Sequence, residues 1–141
     1  MKVSTKGLYG TLAVLDLAIH HATGHVHKAD IAERQGIPEQ YLAQLLSTLR
    51  RAGYVRSVRG PAGGHMLARS PSEISVGEIV ELLDGPQVVR CQKASEPASK
   101  ALVHEIFHEA DRAAAQVLYA LTFDKIVDRW RGSRGSLDFV I

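Results

Sequence analysis

The sequence predicts a mostly α-helical protein with one small β-hairpin. Apolar residues recur at helical spacing through most of the chain, whereas two short extended runs flank a segment rich in glycine, residues 59–64. The length of 141 residues corresponds to about one domain. With 45% hydrophobic and 23% charged residues, the composition is that of a soluble globular protein.

The first predicted helix begins at Ser4 or Thr5, both of which can cap a helix N-terminus. Four apolar residues then follow at intervals of four, three and four: Leu8, Leu12, Leu15 and Ile19. This spacing places them on one face of an amphipathic helix, which we expect to end near Gly24.

Two more helices follow. Residues 28–35 predict a short helix that Gly36 ends, because glycine is favoured just past a helix C-terminus. Pro38 suits the first turn of the next helix, where its missing N–H costs no hydrogen bond. Four leucines form the inward stripe of this third helix: Leu42, Leu45, Leu46 and Leu49.

A hairpin and a fourth helix come next. The extended runs 54–58 and 65–68 and their glycine-rich connection predict a β-wing over residues 54–69. Ser75 and Glu78 form a capping box, flanked by Ile74 and Ile79 at the positions of a hydrophobic staple. A helix is therefore predicted from Val76 to residue 84.

The last third is predicted as a loop at 85–98, a long helix and a short helix within 99–130, and a flexible tail at 131–141. The long helix carries an apolar stripe from Val103 to Leu121. A stripe of this length needs a partner, which predicts a dimerisation helix.

Charge divides the chain into two halves. Residues 1–70 hold nine Lys/Arg and four Asp/Glu, a balance of +5, whereas residues 71–141 hold eight and eleven, a balance of −3. A basic N-terminal half favours a polyanionic partner, and an acidic C-terminal half favours self-association or regulation.

The order of elements over residues 1–84 is that of a winged helix-turn-helix, with the helix-turn-helix at 28–51. Gln40, Tyr41 and Gln44 fall beside or opposite the leucine stripe, where they can read bases in the major groove of double-stranded DNA. Arg59 is placed to enter the minor groove. Other predicted contacts are mainly to phosphates: Ser4, Lys6, Lys28, Arg50, Arg51 and Arg56.

Several segments resemble the winged-helix regulators of the IscR, NsrR and CymR family: STKGLYG, DIAERQGIPEQYL, LRRAGYV, SVRGPAGGHMLA and ISVGEIVELLDGP. The similarity covers residues 1 to about 86 and continues more weakly to about 130. It implies a homodimeric repressor that binds a partly palindromic operator, with the long C-terminal helix as the dimer interface.

Residue by residue, the resemblance implies base contacts at Pro38, Gln40, Tyr41, Ala43 and Gln44, with Arg59 in the wing. Three further DNA contacts are predicted in the wing: Gly60, Gly64 and His65. Ala43 stands where some members carry a glutamate that can accept a hydrogen bond from cytosine. The operator of this chain is therefore expected to differ from theirs.

Many members of that family hold an iron–sulfur cluster on three cysteines and a further residue, and this chain departs from the pattern. It has Cys91, and its His104 matches a ligand position, but Ala101 stands where another thiolate would be. A cluster needs four ligands, so no cofactor is predicted. Three readings of Cys91 stay open: a metal shared across a dimer with His104, a thiol switch assisted by Arg90 and Lys93, or an inert cysteine.

Residues 104–108, HEIFH, match the zinc hydrolase pattern H-E-x-x-H, in which two histidines bind the metal. A third ligand is lacking at the metzincin spacing, because Asp111 and Ala114 occupy the required glycine and histidine positions. The match is interpreted as chance and the chain as a non-enzyme; a regulatory metal site using His104 and His108 is a minor alternative.

The sequence has no run of about 18 apolar residues and no leader pattern, so no membrane partner is expected. We expect a cytoplasmic protein. Its single cysteine excludes a disulfide within the chain.

Overall fold

The computed structural model describes residues 2–86 and 96–138, without the side chains of 135–138. Six α-helices and one two-stranded antiparallel sheet are found in these ranges. In chain order they are α1 (Thr5–Ile19), α2 (Lys28–Gln35), α3 (Glu39–Arg51), β1 (Val55–Val58), β2 (Gly64–Leu67), α4 (Val76–Asp84), α5 (Ala98–Ala120) and α6 (Phe123–Asp138). The prediction of a mostly helical chain with a small wing is confirmed.

The N-cap of α1, the glycine that ends α2 and the buried leucine stripe of α3 form as predicted. The prediction for the face of α1 is wrong: Leu8 is 51% exposed, whereas Gly10 and Val14 are buried, because α4 packs closely against the glycine side of the helix. The Ser4 hydroxyl accepts from the Gly7 N–H at 3.1 Å at the start of α1. Helix α1 ends at Ile19, and a short 3-10 turn, His21–Thr23, leads to Gly24. All four leucines of the α3 stripe are at most 2% exposed, so α3 packs its apolar face into the core and turns its polar face outward.

The wing is an antiparallel hairpin in which Val55 pairs with Leu67 and Val58 with Gly64. Its second strand is joined to the segment before α2, because the Val26 and His65 backbones exchange two N–H···O bonds of 2.8 Å. Gly64 has φ +141°, and a Cβ there would lie 2.6 Å from the Val26 carbonyl oxygen. Glycine is thus required for this close approach.

Helix α4 is started by the predicted capping box. Ser75 Oγ accepts from the Glu78 N–H at 3.2 Å, and Glu78 Oε2 accepts from the Ser75 N–H at 2.8 Å. The flanking Ile74 and Ile79 are both fully buried. The core therefore lies between α1, α3, α4, the wing root and the start of α6, where Phe123 is also fully buried.

Helix α5 extends from this core and has no buried residue along its 23 positions. Its C-terminal end is anchored: the Val76 N–H donates to the Leu121 carbonyl at 2.9 Å. A Cβ on Gly77 would lie 2.7 Å from the Tyr119 ring, so α4 and α5 are in close contact at this point.

The tail predicted to be flexible from residue 131 is helical as far as Asp138, which corrects that expectation. Buried Val127 anchors α6, and the Arg134 guanidinium stacks over the Trp130 ring one turn earlier, 5.0 Å from its centroid. These contacts extend the helix through a glycine- and serine-rich segment. Within the described ranges, no helix is both long and apolar enough to span a membrane.

Candidate nucleic-acid interface

The outward face of α3 presents the residues predicted to read bases. Pro38 precedes the helix, Gln40 and Gln44 are exposed one turn apart, and Tyr41 and Ala43 are half-buried beside them. Both glutamines are exposed, and a glutamine amide can pair with an adenine edge. The structure thus brings the five predicted positions of α3 to one surface.

This surface includes two residues of α1 that sequence reasoning missed. Thr5 and Tyr9 line a shallow, mostly apolar cleft together with Pro38, Gln40, Tyr41 and Gln44. The Tyr9 and Tyr41 rings meet edge to face, with centroids 5.7 Å apart. The only sequence signal was the i, i+4 spacing of Thr5 and Tyr9 on α1, which says nothing about which helix lies opposite.

Four of the five cations predicted to bind phosphates are exposed, namely Lys6, Arg50, Arg51 and Arg56, and so is the predicted minor-groove residue Arg59. Lys28 is half-buried, and its Nζ lies 3.9 Å from Glu39 Oε1. Arg59 immediately precedes Gly60 at the turn of the wing, where φ is +108°. Their long stems and exposed heads leave these cations able to reach a polyanion.

Ser4 has surroundings that suit a phosphate poorly. Its N–H donates to Asp84 Oδ2 at 2.9 Å, and its hydroxyl donates to the other oxygen of the same carboxylate. A phosphate would have to displace that carboxylate and would be repelled by its charge. The predicted cationic residues are therefore better candidates for phosphate contacts than Ser4.

A buried ion pair fixes the helix-turn-helix against α1. Asp16 is fully buried, and its carboxylate accepts from Arg34 Nε and Nη2 and from Gln35 Nε2, each at 2.9 Å. Burial raises the pKa of this carboxyl, but the bonds from Arg34 and Gln35 outweigh burial, so the pKa lies below its usual value. Asp16 was not predicted, although an aspartate between inward-facing Ala13 and Leu17 was a possible signal.

Strand β2 of the wing carries a histidine, His65, close to cationic side chains. The His65 ring is half-buried, and its Nδ1 lies 2.7 Å from Ser57 Oγ. Burial lowers the pKa of His65, and the nearby charges of Lys28 and Arg50 lower it further. The predicted wing residues Gly60, Gly64 and His65 thus differ in setting: Gly60 is exposed in the turn, whereas Gly64 and His65 are half-buried at the start of β2, beside Val26.

The possible metal ligands do not form a site in the described part of the chain. His104 and His108 are half-buried, and His104 Nε2 lies 3.7 Å from Glu96 Oε2. Among residues 2–86 and 96–138 no group of three or more His, Cys, Asp or Glu could hold a metal ion. Cys91 lies outside the described residues.

The donor set of the chain also does not fit an iron–sulfur cluster of the three-cysteine type. There is one cysteine in the whole sequence, so a single chain cannot supply the thiolates that such a cluster requires. No step of the mechanism is therefore assigned to a cluster.

A helix-turn-helix with an exposed polar reading face, a basic perimeter and an arginine-tipped wing defines a DNA-binding regulator. The family model that describes Rrf2 as an iron-dependent transcriptional regulator matches residues 3–129. The chain belongs to this family. It is accordingly a DNA-binding transcriptional regulator and not an enzyme, so the hydrolase reading of residues 104–108 is set aside.

Named relatives agree with this assignment. The HTH-type transcriptional regulator IscR of Pectobacterium carotovorum is 39% identical over 131 residues, covering 91% of this chain and 80% of the relative. The solved structure of CymR, the global cysteine regulator of B. subtilis, has a TM-score of 0.82 at 34% identity and covers 92% of this chain and 98% of its own. IscR of T. potens has a TM-score of 0.73 at 39% identity, with coverages of 92% and 88%.

Proposed function

We propose that the protein acts as a homodimer that binds a partly palindromic operator and represses transcription. The observation that carries this proposal is the unpartnered apolar face of α5. The helix projects one end from the core, and its exposed apolar side chains need a protein surface to cover them.

The apolar face is concentrated in the first half of α5. Leu102, Val103, Ile106 and Phe107 are 57%, 49%, 55% and 64% exposed, and Val117 is 60% exposed further along. Full burial of one such side chain contributes about 1.5–3 kcal/mol. In a twofold-symmetric dimer each of these side chains would be buried on both protomers. The summed free energy of burial would then be large compared with the free-energy cost of association.

Twofold pairing would also explain how the reading surface is used. Two copies of α3 would enter successive major grooves, with half-sites about 34 Å apart, one turn of duplex. Gln40 and Gln44 would then read bases, and the wing arginine Arg59 would enter the adjacent minor groove. Ala43 cannot form a hydrogen bond to a base, so discrimination at the base pair facing it would rest on apolar contact.

Phe107→Arg tests the dimer. We expect the variant to sediment as a monomer and to lose at least tenfold in affinity for a duplex selected by the wild type from a randomised pool. Gln116→Arg is the matched control, since it makes the same charge change on the opposite side of α5, about 180° away on the helical wheel. A wild-type protein that sediments as a monomer at micromolar concentration would contradict the proposal.

The regulatory signal is a separate part of the proposal. Cys91 is the only thiol in the chain, so a thiol-based redox response would have to pass through it. We assign redox or metal responsiveness to Cys91 on this ground, with Arg90 and Lys93 favouring the reactive thiolate. Operator binding with and without peroxide, in wild type and Cys91→Ser, tests this assignment, and equal responses would exclude it.

A further inference from the structure

Cationic and histidine side chains from three parts of the chain surround the Val26–His65 bridge. We propose that this bridge cluster, made of His25, His27, Lys28, Arg50 and His65, is a phosphate-binding subsite that takes up protons when DNA binds. The inference rests on the proposed DNA-binding function and adds a ligand atom and a pH dependence to it.

Backbone geometry places the histidines together. Val26 is buried and bonded to His65 through the two 2.8 Å bonds of the bridge, so its neighbours His25 and His27 both turn outward in the extended segment and are exposed. Lys28 begins α2 directly after them. The bridge thus carries three histidines on one short junction between the helix-turn-helix and the wing.

The His65 ring is oriented for a proton-linked role. Ser57 Oγ lies 2.7 Å from its Nδ1, and in the neutral ring the hydroxyl donates to that nitrogen, which leaves the proton on Nε2. When the ring is protonated, Nδ1–H donates to Ser57 instead. The contact persists in both states, and Nε2–H donates to the phosphate oxygen while the ring gains a positive charge.

Burial and nearby cations disfavour the charged form of the ring in the free protein. Burial and the charges of Lys28, Arg50, His25 and His27 all lower the pKa of His65. The carboxylate that contacts this cluster is that of Glu39, 3.9 Å from Lys28 Nζ, and Asp30 lies two residues after Lys28 in the first turn of α2. A bound phosphate would neutralise the crowded cations and favour the imidazolium, so protonation and DNA binding would support each other.

Protonation of His65 and DNA binding should favour each other, which fixes the direction of the pH dependence. The free protein has a low His65 pKa and the complex a raised one, so binding takes up protons and strengthens as the pH falls. Each proton taken up changes affinity up to tenfold per pH unit between the two pKa values. We expect a selected, fluorescently labelled duplex to bind at least about tenfold more tightly at pH 6.0 than at pH 8.0 at fixed salt.

Three variants test the assignment by anisotropy titration. His65→Gln should reduce the ratio between the two pH values to less than about threefold, and most of the lost affinity should be lost at pH 6.0. His25→Gln/His27→Gln, at exposed positions that spare the fold, should give an intermediate ratio. His104→Gln/His108→Gln, on α5, should keep the full wild-type ratio.

Parallel affinity–pH curves for wild type, His65→Gln and the double variant would overturn the inference. So would tight wild-type binding that does not change with pH, although DNA binding itself would then stand. Failure to bind any duplex at either pH would instead remove the proposed function together with the subsite. If the pH response is found, single methylphosphonate substitutions along the duplex should locate the phosphate. The response should be lost when one particular phosphate in each half-site is replaced, and it should persist when any other is replaced.

Discussion

Asp16→Asn is the substitution whose effect on the helix-turn-helix follows most directly from the contacts. It keeps the volume of the side chain but removes the charge that accepts two bonds from Arg34 and one from Gln35. An exposed ion pair contributes about 0–1 kcal/mol, and breaking a fully buried one costs about 3–5 kcal/mol. Here the Asp16 side chain is 1% and the Arg34 side chain 40% exposed. An intermediate loss of about 2 kcal/mol is therefore expected.

For a chain of this size, a loss of about 2 kcal/mol lowers the melting temperature by about 6 °C. The assay is thermal and urea unfolding followed by circular dichroism, with every variant at the same protein concentration because association would add to stability. Asp128→Asn, at an exposed position of α6, is the control and should change stability by less than about 0.5 kcal/mol. Loss of the Asp16 contacts should also loosen α2 from α1 and weaken operator binding.

The pH dependence of the unfolding free energy gives an independent test of the role of the Asp16 charge. Because the pKa of Asp16 is lowered in the folded state, its charge stabilises the fold above the unfolded value, 3.8, and this stabilisation is lost as the pH falls through the folded pKa. The difference between wild type and Asp16→Asn should be constant from pH 5 to 7 and shrink below 3.8. An unchanged melting temperature at pH 7, or a difference that grows in acid, would refute the assignment of Asp16 as a stabilising carboxylate.

Two further substitutions test other parts of the fold and the reading surface. Gly77→Ala places a Cβ 2.7 Å from the Tyr119 ring and 2.9 Å from its backbone nitrogen, so α5 must shift; overpacking of this kind costs about 1–3 kcal/mol in urea unfolding. Gly132→Ala, with nothing within 4 Å of the added atom, is its control, and equal stability of the two variants would show that the α4–α5 contact tolerates a methyl group. Arg59→Ala should weaken binding most on duplexes with A·T-rich flanks, whereas an equal loss on every flank in anisotropy titrations would exclude minor-groove reading by the wing.

Local signals predicted most of the fold. The capping box at Ser75, the glycine after α2 and the leucine stripe of α3 each act within one or two helical turns, so the sequence alone contains the physical cause. The same holds for the wing, whose glycine-rich turn separates two short extended runs. The reading face of α3 was predictable for the same reason, because its polar positions are defined by the buried leucines.

Features that depend on tertiary contact could not be predicted in this way. The pairing of Asp16 with Arg34 needs the packing angle between α1 and α2, and the meeting of Tyr9 with Tyr41 needs that between α1 and α3. The C-terminal half of α6 was missed because its glycines and serines have low helix propensity, which the anchoring of the helix overrides.

In the proposed function, the N-terminal half binds duplex DNA through phosphate contacts made by its cations. A salt titration of binding to a selected duplex measures this directly, because affinity falls with a slope set by the number of phosphates neutralised. With about 6–10 contacts per dimer, we predict a loss of about 10³–10⁵-fold between about 50 and 200 mM salt. Binding that is weak in dilute salt and does not change when more salt is added would contradict DNA binding through phosphate contacts.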